Sequence, residues 1–319
     1  NKTMGQGGFQ EVEQMNLFKD MVCYQEEVRD PSRMAEVLNR VIEKAFRGSA
    51  PAQINVPRDY WTQVIDIELP PIVRFERQGG GKEAIENAAK LLSKAKFPVI
   101  LSGAGVVLGG AIDECKKLAE KLDAPVCNGY QHNDSFPGSH PLAVGPLGYN
   151  GSKAAMELIS KADVVLALGT RLNPFSTLPG YGIDYWPKKA TIIQVDMNPD
   201  RIGLTKKVSV GICGDAKQVA QQILDKLSSD AGNTGREERK NLIHKTKSAW
   251  LQTLSGLDHE EDDPGTVWNK EARERDKDRM SPRQAWRAIQ DALPQDAIIS
   301  SDIGNNCAIG NAYPTFEKP

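Results

Sequence analysis

The pentapeptide Asp302-Ile-Gly-Asn-Asn306 has the residue types best suited to ligand chemistry in this sequence. It follows Ala297-Ile-Ile-Ser300, an apolar run that predicts a strand, and α/β folds bind ligands at the carboxyl ends of parallel strands. A glycine there opens backbone N–H groups to an anion, and the amides of Asn305 and Asn306 add neutral donors suited to phosphate. An ordinary Asn-rich turn uses the same residues, and on spacing alone both readings stand. A second glycine-rich stretch, Gly5, Gly7 and Gly8, leads into Phe9-Gln-Glu-Val-Glu13. Glycines here bring backbone close to a ligand or make a flexible terminus, and again both readings stand.

Other candidates carry weaker signals. Gly103-x-Gly105 after a strand invites a dinucleotide reading, but the third glycine of that fingerprint falls on Leu108. The following strand ends at Cys127-Asn128 rather than on an acid for ribose hydroxyls, so a tight βα turn is the better reading. His132 and His140 share a loop, lack a third metal partner in sequence, and read as surface or capping residues. Arg171, at a strand's carboxyl end, suits an anionic substrate or an ion pair with a neighbouring domain equally well.

The elements that must position these residues alternate between apolar runs and helix-period segments. Phe97–Ser102, Ala124–Cys127, Asp163–Leu168, Thr191–Val195 and Val208–Ile212 predict strands made of continuous Val/Ile/Leu runs. Such strands are buried on both faces, as in a parallel sheet covered by helices. Helices are expected at about 82–96, 111–122 and 218–227, with Cys115, Leu118, Ala119 and Leu122 on one inward face. Asp30-Pro31 predicts a helix start, with Met34, Val37, Leu38, Val41, Ile42 and Ala45 as its stripe and Gly48 closing it. Gln53–Val56 predicts a further strand. Ser281-Pro282 starts another helix through Trp286, Ile289 and Leu293. The fold class is therefore α/β: a central Rossmann-like parallel-sheet domain flanked by partial α/β domains.

The 319 residues suffice for two ordinary domains, or one with fragments of others. With 40 basic and 42 acidic residues, a net charge of -2 argues against nucleic-acid or membrane-surface binding. Five cysteines without a CxxC spacing fit buried, reduced thiols and a cytoplasmic setting better than a disulfide frame or zinc site. No apolar run approaches the ~20 residues that span a bilayer. Residues 229–280 are strongly charged and read as a solvated linker holding one amphipathic helix around Leu242, Ala249, Trp250 and Leu254. The sequence opens at Asn1 without methionine and stops after a strand-like segment, so a longer polypeptide is expected.

Several motifs together resemble the acetolactate-synthase-like thiamine diphosphate enzymes. They are Gly8-Phe-Gln-Glu11, Ala52-Gln-Ile-Asn-Val-Pro-Arg58, Gly148-Tyr-Asn-Gly-Ser-Lys-Ala154, Leu168-Gly-Thr-Arg171, Gln194-Val-Asp-Met-Asn-Pro-Asp200 and Ser301-Asp-Ile-Gly-Asn-Asn306, in that order. Within that superfamily, Gly8–Met15, His132–His140 and Pro174–Tyr181 look like the desulfonating acyltransferases that act on sulfoacetaldehyde and phosphate. The resemblance implies that residues 1–68 end a pyrimidine-binding domain and 82–228 form the central domain. By the same token 229–280 link it to the start of a diphosphate-binding domain at 281–319. It implies Gly304, Asn305 and Asn306 as the diphosphate-contacting turn, with Phe9 and Gln10 on the loop facing the reactive ring of the cofactor. Thiamine diphosphate and Mg2+ are the implied cofactors. The activating glutamate and the metal motif are expected outside this chain, so the isolated piece is expected to be inactive. Sites shared between subunits imply a homodimer or homotetramer. One departure weighs against acetolactate synthase or a related 2-ketoacid decarboxylase: Phe175 stands where those enzymes have a second arginine.

Overall fold

The computed structural model describes residues 4–9, 11–69, 71, 76–258, 279–294 and 296–319, and the chain forms two compact units, Asn1–Glu76 and Arg77–Pro319. In the first unit, strand β1 (Tyr24–Glu27) pairs in parallel with β2 (Ala52–Asn55). Between them runs helix α2 (Met34–Gly48), preceded in the chain by the short α1 (Gln14–Phe18). Asp30 caps the entry as expected: its carboxylate accepts from the Ser32 backbone N–H at 2.9 Å, and a 3-10 turn precedes α2. The exit differs from expectation. Ser49, not Gly48, takes the left-handed cap (φ 45°), and Gly48 serves packing instead: a Cβ there would sit 3.1 Å from the Cys23 Sγ. Only Val37 and Val41 of the expected stripe are buried; Leu38 and Ile42 remain 42% and 45% exposed.

The second unit is built on a parallel sheet of order β5-β4-β3-β6-β7-β8 among the described residues. Its strands are β3 (Pro98–Ser102), β4 (Val126–Asn128), β5 (Ala143–Pro146), β6 (Val164–Leu168), β7 (Thr191–Asp196) and β8 (Val210–Cys213). Every residue of β3 and β6 is buried, which is what continuous apolar runs require. Helices α3 (Lys82–Lys94), α4 (Ala104–Gly109), α5 (Ile112–Leu122), α6 (Lys153–Ile159) and α7 (Ala216–Lys226) make the crossovers and flanks. The face expected of α5 is correct, with Cys115, Leu118, Ala119 and Leu122 buried, and Ile85, Ala88, Ala89 and Leu92 form the buried face of α3. Each Ile or Leu buried here stabilises by roughly 1.5–3 kcal/mol, and each alanine by less. The chain passes from β3 to β4 and β5 on one side, then returns to β6 on the other. The switch point therefore lies between β3 and β6.

The helix expected in the charged stretch is longer than its apolar residues suggested. It is α8 (Arg236–Asp258), and it lies against α6 through Trp250 and Leu254. Its anchor is Arg239, 1% exposed, whose guanidinium donates to the carbonyls of Lys96, Leu122, Asp123, Gly232 and Thr234 at 2.6–2.9 Å. Five donors thus meet five acceptors, several of them orphan carbonyls at the carboxyl ends of α3 and α5. Burial pushes the guanidinium's pKa down, and saturation by carbonyls is what makes a buried cation tolerable here. The Glu-Glu-Asp-Asp run at 260–263 and the charges of 270–278 lie outside the described residues.

Helices α9 (Pro282–Ala292) and α10 (Asn305–Gly310) follow. The start of α9 is a reciprocal capping box between Ser281 and Gln284 with Pro282 at the first position. Ala297–Ser300 is not a strand, contrary to expectation, and Ile298 is 98% exposed. A strand needs a neighbour for its N–H and C=O groups, and among the described residues this run has none.

Candidate functional site

The turn that opens α10 is assembled from its own residues first. Gly304 adopts φ 129°, ψ -158°, a conformation that side chains resist, and nothing lies within 4 Å of where a Cβ would project. Asp302 Oδ1 accepts from the Ile303 N–H at 2.7 Å, which bends the approach. Asn305 and Asn306 are exposed and occupy the first helical positions, where backbone N–H groups have no intrahelical acceptor. The front of the turn is therefore open glycine backbone with amide donors. Its back is anchored: Trp286 Nε1 donates to the Asn306 carbonyl at 2.9 Å, and the indole fills the space beside Gly310.

The seat for α10 is the loop after β4, which includes the two histidines. Tyr130 Oη lies 3.2 Å from Cys307 Sγ, and Gln131 Nε2 donates to the same sulfur at 2.9 Å. Gln131 N and Asn133 Nδ2 donate to the Asn311 side chain (3.1 Å) and backbone (3.0 Å), while Asn311 Nδ2 donates to the Leu147 carbonyl at 3.3 Å. Farther along, Gly138 N donates to the Phe316 carbonyl, and Ser139 donates twice to the Glu317 carboxylate. Burial pushes the Tyr130 phenol up and the His132 imidazole down, Asp134 opposing the latter shift. His140 is a capping residue: Nδ1 accepts from the Leu142 N–H and Nε2 faces Glu120 Oε1, both at 3.2 Å. Sequence reasoning missed Tyr130, Cys307 and Asn311, because their partners lie 164–180 residues away.

At the switch point, the glycines serve packing. Gly105 N donates to the Gly169 carbonyl at 2.8 Å, and a Cβ on Gly105 would sit 2.7 Å from the Gly169 Cα. Gly103 likewise has no room beside Thr170. The close backbone approach of these two turns accounts for the GxG spacing without a pyrophosphate. Arg171 is exposed and has no ion pair among the described residues. Its neighbour Leu172 is buried at φ 53°, an outlier of the kind that collects at functional edges. Phe175 packs edge-on to Tyr130 at 4.8 Å and near Tyr149 at 6.2 Å.

In the first unit, Phe9 is 94% exposed, and Gln10 lies outside the described residues. The glycine loop before them is tied down by Glu11, whose carboxylate accepts from the Gly5 and Gly8 N–H groups. These bonds hold the Glu11 carboxyl below its ordinary range. The loop is a formed turn rather than a loose end.

The open glycine turn and its amide donors suit a diphosphate, and the Asp302 carboxylate beside it is already engaged by backbone. Among the described residues, no three His, Cys, Asp or Glu side chains come together to hold a metal. No helix there is long and apolar enough to cross a membrane.

Residues 85–223 match the family described as "Thiamine pyrophosphate enzyme, central domain". The chain is 78% identical over 318 residues, its whole length, to a "Probable sulfoacetaldehyde acetyltransferase" of Rhizobium meliloti, of which it covers 54%. It is also 78% identical to a "Sulfoacetaldehyde acetyltransferase" of Roseovarius nubinhibens, covering 53% of that protein. The chain thus spans about half the length of the curated relatives it matches. The crystal structure of benzoylformate decarboxylase from Polynucleobacter necessarius superposes with a TM-score of 0.71 at 18% identity, covering 97% of this chain and 52% of that one. That likeness concerns the fold alone.

Proposed function

We propose that this chain belongs to the thiamine pyrophosphate enzymes and is part of a sulfoacetaldehyde acetyltransferase. The reaction takes sulfoacetaldehyde and phosphate to acetyl phosphate and sulfite: the carbon–sulfur bond breaks, sulfite leaves, and a phosphate oxygen receives the acetyl group. The observation that carries this reading is 78% identity, sustained along the whole chain, to relatives bearing that name.

Thiamine diphosphate, when bound, supplies the electron sink that such an acyl transfer needs. The open backbone at Gly304 and the amides of Asn305 and Asn306 would hold its diphosphate through neutral donors. The loop tied by Glu11 would present Phe9 as an apolar wall and Gln10 as a donor to oxygen charge developing on the substrate. A neutral amide there would donate a hydrogen bond without adding a full positive charge beside the cofactor, as a lysine would. The same reading carries Mg2+ bound by residues outside this chain, a homodimer or homotetramer, and a cytoplasmic location. It divides the chain at 1–68, 82–228, 229–280 and 281–319 into pyrimidine-binding, central, linking and diphosphate-binding parts.

Phe175 argues against the 2-ketoacid alternative, because a ring packed on Tyr130 offers no charge to a second carboxylate. The test is direct. Full-length protein given thiamine diphosphate, Mg2+, sulfoacetaldehyde and phosphate is expected to release sulfite and form acetyl phosphate in equal amounts. Acetolactate from pyruvate alone, with no sulfite from sulfoacetaldehyde, overturns the proposal in favour of acetolactate synthase.

A further inference from the structure

A cavity of about 520 Å³ opens in the second unit between the end of α5, the loop before β5 and the middle of α8. It lies apart from the α10 turn and from the sheet's carboxyl edge. Its apolar surface comes from Leu142 and Ile243, both buried, and Leu251, 55% exposed, while charged and polar side chains of α5, α8 and His140 surround it. The acids on its rim are already matched. Glu120 faces His140 Nε2 at 3.2 Å, and Asp123 pairs with Arg236 and with Lys240 Nζ at 3.9 Å.

Lys247 is not matched. Its Nζ donates at 2.9 Å to the His140 carbonyl, and among the described residues no carboxylate lies within ion-pair distance. An ammonium has three donors, and among the described residues two of these have no protein acceptor, in a half-buried setting where an unpaired charge is costly. Burial pushes the amine's pKa down, as expected for a cation short of a counter-charge. An occupant that supplies an anionic head to Lys247 and covers Leu142, Ile243 and Leu251 with an aliphatic tail satisfies both features.

We propose that this cavity binds a small organic anion, a short aliphatic chain ending in a carboxylate or sulfonate, with its head on Lys247 and its tail along Leu142, Ile243 and Leu251. Binding here needs no turnover and does not depend on the activity proposed above.

Isothermal titration of hexanoate into the full-length protein is the test. Saturable binding is expected, weakened by about tenfold or more in Lys247→Met and kept within about threefold in Lys247→Arg. Hexylamine, with the tail but the wrong charge, is expected not to bind. Inorganic phosphate, with charge but no tail, is expected not to saturate over the same range. If Lys247→Met fails to fold, Leu251→Asp carries the same arm, since a carboxylate at the exposed mouth repels the head and is expected to weaken hexanoate by about tenfold. No saturable heat with the unaltered protein overturns the proposal, as does hexanoate binding equally well to folded Lys247→Met or to Leu251→Asp.

Discussion

Tyr130 reaches from the loop after β4 to place its hydroxyl 3.2 Å from Cys307 Sγ, while its ring meets the edge of Phe175 at 4.8 Å. One side chain therefore joins the corner that carries Arg171 to the helix that presents Gly304, Asn305 and Asn306. Tyr130→Phe keeps the ring contact and loses only the polar one. It is expected to lower stability by about 0.5–1.5 kcal/mol in urea unfolding. Tyr130→Ala loses both, and in the full-length enzyme it should also raise the thiamine diphosphate concentration for half-maximal activity. Equal effects of the two substitutions on stability and cofactor demand would show that the ring contact is idle.

Arg239→Met strands five carbonyls that are now satisfied by one guanidinium. Each buried acceptor left without a donor costs about 1–3 kcal/mol, and partial hydration will recover some of this. A loss on the order of 4 kcal/mol or more is expected from denaturant midpoints. Arg239→Lys should recover less than half of it, because an ammonium has three donors and no planar fork.

Gly105→Ala and Gly169→Ala place a methyl against the facing backbone, 2.7 Å away in both cases. Gly169 adds a second penalty, since its φ of 61° is strained for alanine. Gly169→Ala should therefore lower the thermal midpoint more than Gly105→Ala. A tolerated Gly169→Ala would mean that the two turns can part, and that the GxG spacing needs another explanation.

Gln10 and Asn306 make a discriminating pair in the full-length enzyme. Loss of an oxyanion donor typically lowers kcat by about 10²–10³. Gln10→Ala is expected to act on kcat in this way with little change in cofactor demand, whereas Asn306→Ala should raise cofactor demand with a smaller effect on kcat at saturation. Wild-type turnover by Gln10→Ala with saturating substrates would remove Gln10 from the catalytic assignment.

Much of this was legible in the sequence, and the exceptions have separate physical causes. Strands β3 and β6 announced themselves as apolar runs, because burial on both faces leaves no room for polar alternation. Strand β5 did not: Gly145 and Pro146 are half of its four residues, and both are poor strand signals. Ala297–Ser300 has a strand's composition but no neighbour to pair with among the described residues. Gly304 was visible as a lone glycine before two asparagines, yet the seat behind it was not. Contacts such as Gln131 to Cys307 and Asn133 to Pro314 join residues 176 and 181 positions apart, and no local pattern encodes them.

Acid should weaken the first unit at an identifiable pair. Arg40 holds Glu26 through two hydrogen bonds at 2.8 Å, with Tyr24 Oη adding a third at 2.7 Å, and together they pull the carboxyl down to about 2. A depressed carboxyl contributes stability above its ordinary pKa of 4.5 and loses it as pH falls from there through about 2. Carboxyl chemical shifts of Glu26 should titrate in that low window. Arg40→Met should return them toward the ordinary value and flatten the acid limb of stability; an unmoved titration would mean the pair is not formed in solution.

Arg239 also sets a clock on synthesis. Its guanidinium closes onto the Asp123 carbonyl across 116 residues of chain. At ribosomal rates of roughly 5–20 residues per second, α5 waits about 6–23 s between its own emergence and the arrival of that cap. Through that interval the apolar faces of α3 and α5 lack the helix that closes over their carboxyl ends. Slower synthesis between residues 123 and 239 lengthens that interval in proportion, so the exposure of these faces on the nascent chain is set by translation speed and not by the stability of the finished fold.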